Sequence, residues 1–144
     1  MEIITQSALE TQNLGEKMGR DLKNNPKILC LYGDLGSGKT TFIQGLAKGL
    51  GIKKRVISPT FVFMKQYKPS FYHVDLYRIN KVKEARDLGL QEIFEDKEAI
   101  VAIEWAEKIK KILPKKRIDI YFDYISENQR KIRIKNEALF QDYK

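Results

Sequence analysis

The sequence predicts a three-layer α/β fold in which helices flank a mixed, mostly parallel central sheet that includes an antiparallel hairpin. Three observations support this prediction. Continuous apolar runs at 28–32 and 99–103 have the composition of strands that are buried on both faces. Helix-like segments precede and follow the first run. Two aromatic and β-branched runs, at 60–67 and 71–77, are close enough in the chain to pair with each other.

The composition favours one compact domain that spans residues 1–144. A chain of 144 residues with 42% hydrophobic residues can build a single core. It contains no apolar run of about eighteen residues and no charged-then-apolar amino terminus, so we expect a cytoplasmic protein without a membrane span. The lone Cys30 cannot form an internal disulfide and suits a buried strand.

The net charge of +8 would attract polyanions, but its distribution gives only weak support to nucleic-acid binding. Much of the charge lies in lysine-rich runs at 53–55, 108–111 and 115–117, and no aromatic-rich RNA-binding signature accompanies them. We interpret these runs as solvated surface, which would also suit a partner that carries RNA.

The first part of the chain predicts a helix, a strand and a second helix in that order. The segment 7–23 has apolar residues near helical spacing and begins with a capping box, Ser7-Ala8-Leu9-Glu10. Asn24-Asn25-Pro26 ends this helix, and the strand at 28–32 follows. The second helix is expected from Lys39 to about Leu50, closed by Gly51. This order is typical of the strand–loop–helix unit of a parallel sheet.

The segment Gly33–Thr40 fits the phosphate-binding loop pattern G-x-x-x-x-G-K-[ST]. Its glycines let the backbone curl around a phosphate and direct N–H groups inward. Lys39 carries a mobile positive charge to the outer phosphates, the Thr40 hydroxyl can ligate magnesium, and the helix directs its positive dipole end at the anion. The alternative is a glycine-rich turn without a ligand. The predicted nucleoside triphosphate contacts are Gly33, Asp34, Leu35, Gly36, Ser37, Gly38, Lys39, Thr40 and Thr41.

The rest of the chain is expected to complete the sheet and its helical layers. In chain order we predict a hairpin of strands at 60–67 and 71–77, one or two short helices over 82–94 interrupted at Gly89, a buried strand at 99–103, a helix from Trp105 to Ile112, and closing strands at 118–122 and 131–134. The tail, 136–144, is expected to be peripheral.

Two acidic residues at strand-like positions are candidate site residues. Asp75 lies among aromatic residues, where a carboxylate is costly unless it meets a cation or a hydrogen-bond donor. Glu104 follows the buried strand, where phosphate-loop proteins usually place the acidic group that faces the metal. Magnesium or the attacking water would satisfy Asp75, and the metal would face Glu104. The alternative is that each simply pairs with an arginine or lysine at the end of its strand.

Three further residues have open interpretations. Thr60, in Ser58-Pro59-Thr60, is either a switch residue that senses phosphate or metal, or part of a turn. His73 is the only histidine, so a zinc site is disfavoured and a packed strand histidine is expected. Trp105 is either a core anchor or an aromatic ring that stacks near the site.

Five motifs, taken together, resemble the small bacterial ATPase family TsaE. In chain order they are Gly33–Thr41, Ser58–Phe61, His73–Arg78, Leu88–Phe94 and Ile103–Ile109. Their order and spacing agree with the family from the first helix to the last strands, whereas the loop alone is shared by many unrelated NTPases. The resemblance implies the phosphate-loop NTPase fold, with ATP and Mg²⁺ as cofactors.

The resemblance also implies a function. Members of the family are ATPase components of the bacterial pathway that installs threonylcarbamoyl on the adenosine beside the anticodon of tRNAs. They associate with the TsaB–TsaD pair, so tRNA would be reached through that complex, and ATP hydrolysis would support its turnover. We expect the free protein to be a monomer.

The matching motifs imply a role for each site residue. The expected catalytic residues are Lys39, which would contact the phosphates, Glu104, which would hold magnesium together with Thr40, and Asp75, which would position magnesium or the hydrolytic water. Thr60 would be the switch-like residue, and Trp105 would lie near the nucleotide. Hydrolysis is expected to be slow without a partner, because no arginine is plainly aimed at the γ-phosphate, although Arg78 is a candidate.

Two other functions use the same sequence features. A small-molecule kinase shares the loop and the magnesium chemistry, but it needs an acceptor pocket and usually a mobile lid. A nucleotide-gated binding module would use ATP only to order the switch segment, and its hydrolysis would be incidental. A GTPase is disfavoured because Asn80-Lys81-Val82-Lys83 lacks the aspartate of the guanine-reading N-K-x-D pattern.

Overall fold

The computed structural model describes residues 1–57, 63–67 and 70–135. The strands are β1 (Glu2–Thr5), β2 (Ile28–Tyr32), β3 (Met64–Tyr67), β4 (Phe71–Asp75), β5 (Ile100–Glu104), β6 (Ile118–Tyr124) and β7 (Arg130–Lys135). The helices are α1 (Ala8–Leu22), α2 (Lys39–Gly49), α3 (Val82–Asp87), α4 (Leu90–Glu95) and a 3₁₀ segment, Ala106–Ile112. None of these helices has the length and apolar character needed to cross a membrane. The predictions for 58–62, for 68–69 and for the tail lie outside the described residues.

Within the described residues the strands form one seven-stranded sheet in the order β1-β7-β6-β2-β5-β4-β3. The four neighbours β6, β2, β5 and β4 are parallel. β3 and β7 run antiparallel to the strands beside them, and β1 runs antiparallel to β7. Most of the strands therefore run in one direction, which confirms the mixed sheet and the hairpin of β3 and β4. The carboxyl ends of the parallel strands meet at the edge where the glycine-rich loop follows β2.

Apolar layers cover both faces of the central strands, because successive side chains of a strand point to opposite sides. On one face, Leu29 and Leu31 pack against α1 and α2. On the other face, Ile28 and Cys30 pack against α3, α4 and the 3₁₀ segment. Burial raises the pKa of the Cys30 thiol to about 12, which leaves it as an unreactive part of the core. The three-layer prediction is confirmed.

Three local features differ from the sequence prediction. β1 is absent from that prediction, and it forms by pairing with the distant β7. The predicted helix after β5 forms as a 3₁₀ segment that begins at Ala106, and Ile109 interrupts it with φ −124° and ψ 30°. β4 ends at Asp75, two residues before the predicted end at Tyr77, and a hydrogen-bonded turn at Tyr77 and Arg78 follows.

The helices α1 and α2 approach each other closely through glycines. A Cβ atom at Gly45 would lie 1.9 Å from the carbonyl oxygen of Gln12, and one at Gly15 would lie 2.1 Å from that of Phe42. Gly19 and Gly49 repeat this arrangement about one turn further along, at 2.2 and 2.1 Å from backbone oxygens. The close approach holds the amino-terminal turn of α1 beside the loop that precedes α2.

Replacing Gly45 with alanine should lower the free energy of unfolding by about 1–3 kcal/mol, the usual cost of overpacking. Backbone atoms of α1 block the new methyl group, so the two helices must separate, even though alanine is the better helix former. Urea denaturation would measure the difference. Lys48→Ala, at an exposed position of the same helix, is the control and should change stability by less than about 0.5 kcal/mol. Equal stability of Gly45→Ala and wild type would contradict the close packing.

Candidate functional site

A cavity of about 450 Å³ opens at the carboxyl edge of the parallel strands. Its volume lies within the range of roughly 300–1,000 Å³ that is typical of small-molecule sites. The lining includes loop residues 34–41 together with Asp75, Glu104 and Trp105, so the structure brings these predicted site residues together. Thr60 lies outside the described residues, and its switch role stays a prediction.

The glycine-rich loop has a backbone that suits an anion. Gly36 and Gly38 have φ values of +77° and +105°, which residues with a side chain rarely adopt. At Gly33 a side chain would also meet the carbonyl oxygen of Phe122 at 2.7 Å. Gly38 precedes α2 without a side-chain cap, and the first turn of α2 contains no acidic residue. This helix start therefore offers its N–H groups and its positive dipole end to a bound anion.

The hydroxyl of Ser37 supports the same conclusion. Its Oγ is buried and has no hydrogen-bond partner within the described part of the chain. Buried polar atoms are nearly always paired in folded proteins, so an unpaired one in a ligand-sized cavity calls for an explanation. A phosphate oxygen at the loop would supply the missing acceptor.

Lys39 is held inside the cavity, where only 4% of it is exposed. Its ammonium donates to the carbonyl oxygen of Gly33 and, at 3.5 Å, to that of Asp34. It also lies 4.0 Å from the centroid of the Trp105 ring. Burial lowers the pKa of Lys39, and the nearby carboxylates, Glu104 foremost, oppose that effect. A phosphate in the cavity would offset the cost of burying this cation.

Thr40 and Glu104, which are predicted to share a metal ion, are in contact. The Thr40 hydroxyl donates to Glu104 Oε1 at 3.3 Å. The other carboxylate oxygen, Oε2, lies 2.7 Å from His73 Nε2. Glu104 is 3% exposed and His73 is fully buried. His73 is therefore a buried strand histidine, as expected, but its polar partner is the candidate metal ligand.

Asp75 lies beside Glu104 in the parallel register of β4 and β5. Its Oδ1 accepts a hydrogen bond from the backbone N–H of Tyr77 at 3.1 Å. Burial is the main cause of the raised pKa of Asp75, and repulsion by Glu104 raises it further. Among the described residues, neither carboxylate forms a salt bridge with an arginine or lysine.

The oxygen donors of this region suit a hard divalent cation. Mg²⁺ prefers oxygen ligands and is usually bound through one or two carboxylates together with substrate phosphates. The Thr40 hydroxyl, the Glu104 carboxylate and, one strand away, the Asp75 carboxylate provide such donors next to the glycine-rich loop. The residues present therefore fit a magnesium ion that arrives with a nucleotide.

Trp105 lines the cavity in an unusual backbone conformation. Its φ and ψ are +61° and +39°, the left-handed region that bulky residues rarely adopt. The ring packs 5.1 Å from that of Tyr77, between centroids. Lys108, one turn later, donates to the carbonyl oxygens of Tyr77 and Ile79. The sharp turn after β5 therefore directs Trp105 to the site, where it also packs against the core.

The cavity contains other residues that the sequence prediction does not include. They are Ser7, Ala8, Thr11, Phe63, Tyr77, Glu127, Asn128 and Arg130. Arg130 is fixed in place, since it donates to the carbonyl oxygens of Ser126 at 2.6 Å and Gly36 at 3.0 Å. Thr11 reaches the loop through the packing of α1 on α2, and Arg130 reaches it through the pairing of β6 with β2, so no local pattern marks either as a site residue. Ser7 does carry a signal, the capping box, but that signal indicates a helix start. Arg78, the candidate from the sequence, also lines the cavity.

The sequence and the fold match known proteins over most of the chain. The family model described as Threonylcarbamoyl adenosine biosynthesis protein TsaE matches residues 5–132. Two relatives are named tRNA threonylcarbamoyladenosine biosynthesis protein TsaE. The one from Treponema pallidum is 33% identical over 93% of this chain and 99% of its own length. The one from Bacillus subtilis is 43% identical over 73% of this chain and 66% of its own length. A crystal structure of Bacillus subtilis YdiB is similar, with a TM-score of 0.79 and 31% identity over 96% of this chain and 90% of that one.

Replacing Asp75 with asparagine should stabilise the protein at neutral pH. Because the pKa of Asp75 is raised on folding, the folded protein binds this proton more tightly than the unfolded chain does. Stability therefore falls as the pH rises from the ordinary aspartate pKa, about 3.9, through the raised value. Asparagine keeps an acceptor for the Tyr77 N–H and removes the charge. Chemical denaturation should show a larger stability gain for Asp75→Asn at pH 7 than near pH 4.

Asp87→Asn is the matched control for this comparison. Asp87 is 64% exposed and pairs with Lys83 at 3.1 Å. An exposed pair of this kind contributes at most about 1 kcal/mol, so its loss should give a small decrease in stability rather than a gain. An Asp75→Asn variant that is less stable than wild type at pH 7 would contradict this account, because it would show that the ionised Asp75 carboxylate does not destabilise the folded protein.

Proposed function

This chain belongs to the TsaE family of threonylcarbamoyl adenosine biosynthesis proteins, and on that premise we propose that it binds and hydrolyses ATP in support of that tRNA modification. One observation supports the proposal most strongly. The phosphate-binding loop, Thr40 and the two carboxylates Asp75 and Glu104 line a single cavity of nucleotide size. Each group has a known use in phosphoryl transfer, where a protein mainly positions reactants and neutralises charge.

The loop would bind the phosphates of ATP. Gly33, Asp34, Leu35, Gly36, Ser37, Gly38 and Thr41 would surround them, with Lys39 as the cation. To reach a phosphate, the Lys39 ammonium exchanges neutral partners, the Gly33 carbonyl and the Trp105 ring, for a charged one. The preference for adenine rests on the family and on the missing guanine-reading motif.

Thr40 and Glu104 would hold magnesium directly or through water, and Asp75 would position the ion or the attacking water. A bound ion would supply positive charge that neutralises the phosphates. Hydrolysis also requires a group that accepts a proton from the attacking water as the bond to the leaving oxygen breaks. Asp75 suits this task because a carboxylate with a raised pKa is a better base than an ordinary one.

The free protein is expected to hydrolyse ATP slowly. Fast phosphoryl transfer usually needs an arginine on the γ-phosphate, supplied in cis or by a partner. Arg130 lines the cavity, but the carbonyl oxygens of Gly36 and Ser126 already occupy its guanidinium. Arg78, the candidate from the sequence, also lines the cavity. A protein partner that completes or reorders the site would therefore accelerate hydrolysis.

The proposed partner is the TsaB–TsaD pair, on the grounds of the family's pathway. ATP binding and hydrolysis would support turnover of that assembly. tRNA would be reached through the pair. The basic charge of this chain would favour proximity to tRNA within such a complex.

Hydrolysis assays with Mg²⁺ would test this function. We expect a low rate for the protein alone and an increase with purified TsaB–TsaD, of about 10³-fold or more if the partner completes the site. Lys39→Ala and Asp75→Ala should both abolish the partner-dependent rate. Lys39→Ala should also weaken ATP binding, whereas Asp75→Ala should retain it. The single tryptophan, Trp105, lies in the cavity, so its fluorescence can report binding separately from hydrolysis.

Lys83→Ala, which removes a lysine that is 79% exposed and lies outside the cavity lining, is the matched control and should behave as wild type. ATP binding without hydrolysis in any mixture would contradict the ATPase proposal and favour the nucleotide-gated binding module. Transfer of the γ-phosphate to a small acceptor, instead of to water, would favour the kinase.

A further inference from the structure

The buried pair of His73 and Glu104 is not explained by the proposed roles of the site residues. His73 Nε2 and Glu104 Oε2 are 2.7 Å apart, a short distance for a nitrogen–oxygen hydrogen bond. Both side chains are shielded from solvent, with exposures of 0% and 4%. A hydrogen bond to a charged acceptor in such surroundings is stronger than one at the surface.

The hydrogen-bond pattern indicates which group donates and which accepts in the contact between His73 and Glu104. Ionised glutamate only accepts hydrogen bonds, so the imidazole must donate through Nε2–H. The opposite ring nitrogen, Nδ1, is buried and has no hydrogen-bond partner among the described residues. In the neutral tautomer with its proton on Nε2, the single N–H group of the ring has Glu104 as its partner. The ring is thus a single donor directed at one oxygen of Glu104.

Each oxygen of Glu104 has a different neighbour. His73 engages Oε2, while Oε1 accepts from the Thr40 hydroxyl at 3.3 Å. Glutamate has one more rotatable bond than aspartate, so its carboxylate can occupy more positions at the end of a strand. A donor on the adjacent strand removes that freedom. The register of β4 and β5 allows this, since His73 pairs with Ala102 and Asp75 pairs with Glu104.

We propose that His73 is a positioning residue for Glu104. By holding Oε2, it keeps Oε1 beside Thr40 in the orientation that a divalent cation bound with a nucleotide requires. This inference rests on the proposed magnesium–nucleotide site, but it concerns residues of the chain that are in contact without any ligand. Donors of this kind orient metal-binding side chains in many proteins, and their loss typically weakens metal affinity about 10- to 100-fold.

Packing alone does not account for His73. Its neighbour on the same face of β4, Phe71, is 1% exposed and belongs to the apolar core. An apolar residue at 73 would continue that core without burying two ring nitrogens. It would also leave a buried carboxylate oxygen without its donor, which costs more than an unmade neutral hydrogen bond. The histidine therefore serves Glu104 rather than the core.

Two amide substitutions test the proposal as a matched pair. In His73→Gln the side-chain N–H₂ can extend about as far as imidazole Nε2, whereas in His73→Asn it extends only about as far as Nδ1. Both variants are polar and similar in chemistry, so they differ mainly in whether a donor reaches Glu104. Binding of a non-hydrolysable ATP analogue would be followed by calorimetry at increasing Mg²⁺ concentrations and, separately, in EDTA.

We expect the half-saturating Mg²⁺ concentration to rise about 10-fold or more in His73→Asn and to stay within about 3-fold of wild type in His73→Gln. Analogue affinity in EDTA should be the same for all three proteins. The double variant His73→Asn with Glu104→Gln should need no more Mg²⁺ than Glu104→Gln alone, because the histidine acts through the carboxylate. Thermal unfolding of each variant would show that the comparison is made on folded protein.

Different results would overturn different statements. Equal Mg²⁺ requirements of His73→Asn and His73→Gln would overturn the positioning role and leave the proposed magnesium site intact. An additional loss in the double variant would assign to His73 a role other than through Glu104. Analogue binding by wild type that does not respond to Mg²⁺ at all would overturn the magnesium site and the positioning role together.

Discussion

The parallel pairing of β2, β5 and β4 is the constraint on which the rest of the structure depends. In this register Leu31 lies beside Glu104, and Glu104 lies beside Asp75. Both carboxylates therefore reach the edge of the sheet at which the glycine-rich loop leaves β2. A slip of β5 by one residue would turn Glu104 to the opposite face, among the apolar side chains around Cys30. The two apolar layers prevent that slip, so the packing of the core determines the geometry of the site.

The site gathers polar groups that folding by itself disfavours. Lys39, His73 and Glu104 are buried, and Asp75 is half-buried beside another carboxylate. Each ionised group loses solvation, which is the main cause of the lowered pKa of Lys39 and the raised pKa of Asp75. The strained backbone at Trp105 adds to this cost. Perturbed groups of this kind are concentrated at functional sites, because binding and chemistry require charges that are not already neutralised.

The parts of the structure that depend on neighbouring residues could be predicted from the sequence, and the parts that depend on distant contacts could not. The loop, α2 and the buried strands follow from glycine spacing, a helix start and apolar runs. Arg130 and Thr11 carry no comparable signal, because their place in the cavity depends on the order of β6 and β7 and on the glycine contacts of α1 with α2. His73 was expected only to be buried, since no spacing rule indicates that it faces Glu104 from the next strand.

In the absence of a ligand, Lys39 and Glu104 each contact other groups and do not form a salt bridge with each other. If both oxygens of Glu104 lacked a hydrogen-bond donor, the ammonium of Lys39 would be the strongest available partner of this carboxylate, and a buried pair of that kind would have to break before a phosphate could bind. Thr40 and His73 instead engage the two oxygens of Glu104, and no salt bridge joins it to Lys39 among the described residues. Lys39 is left with the carbonyl oxygens of Gly33 and Asp34 and with the face of Trp105, all of which are weaker partners than a phosphate. The arrangement thus keeps the lysine inside the cavity, ready for an anion, and keeps the carboxylate ready for a cation.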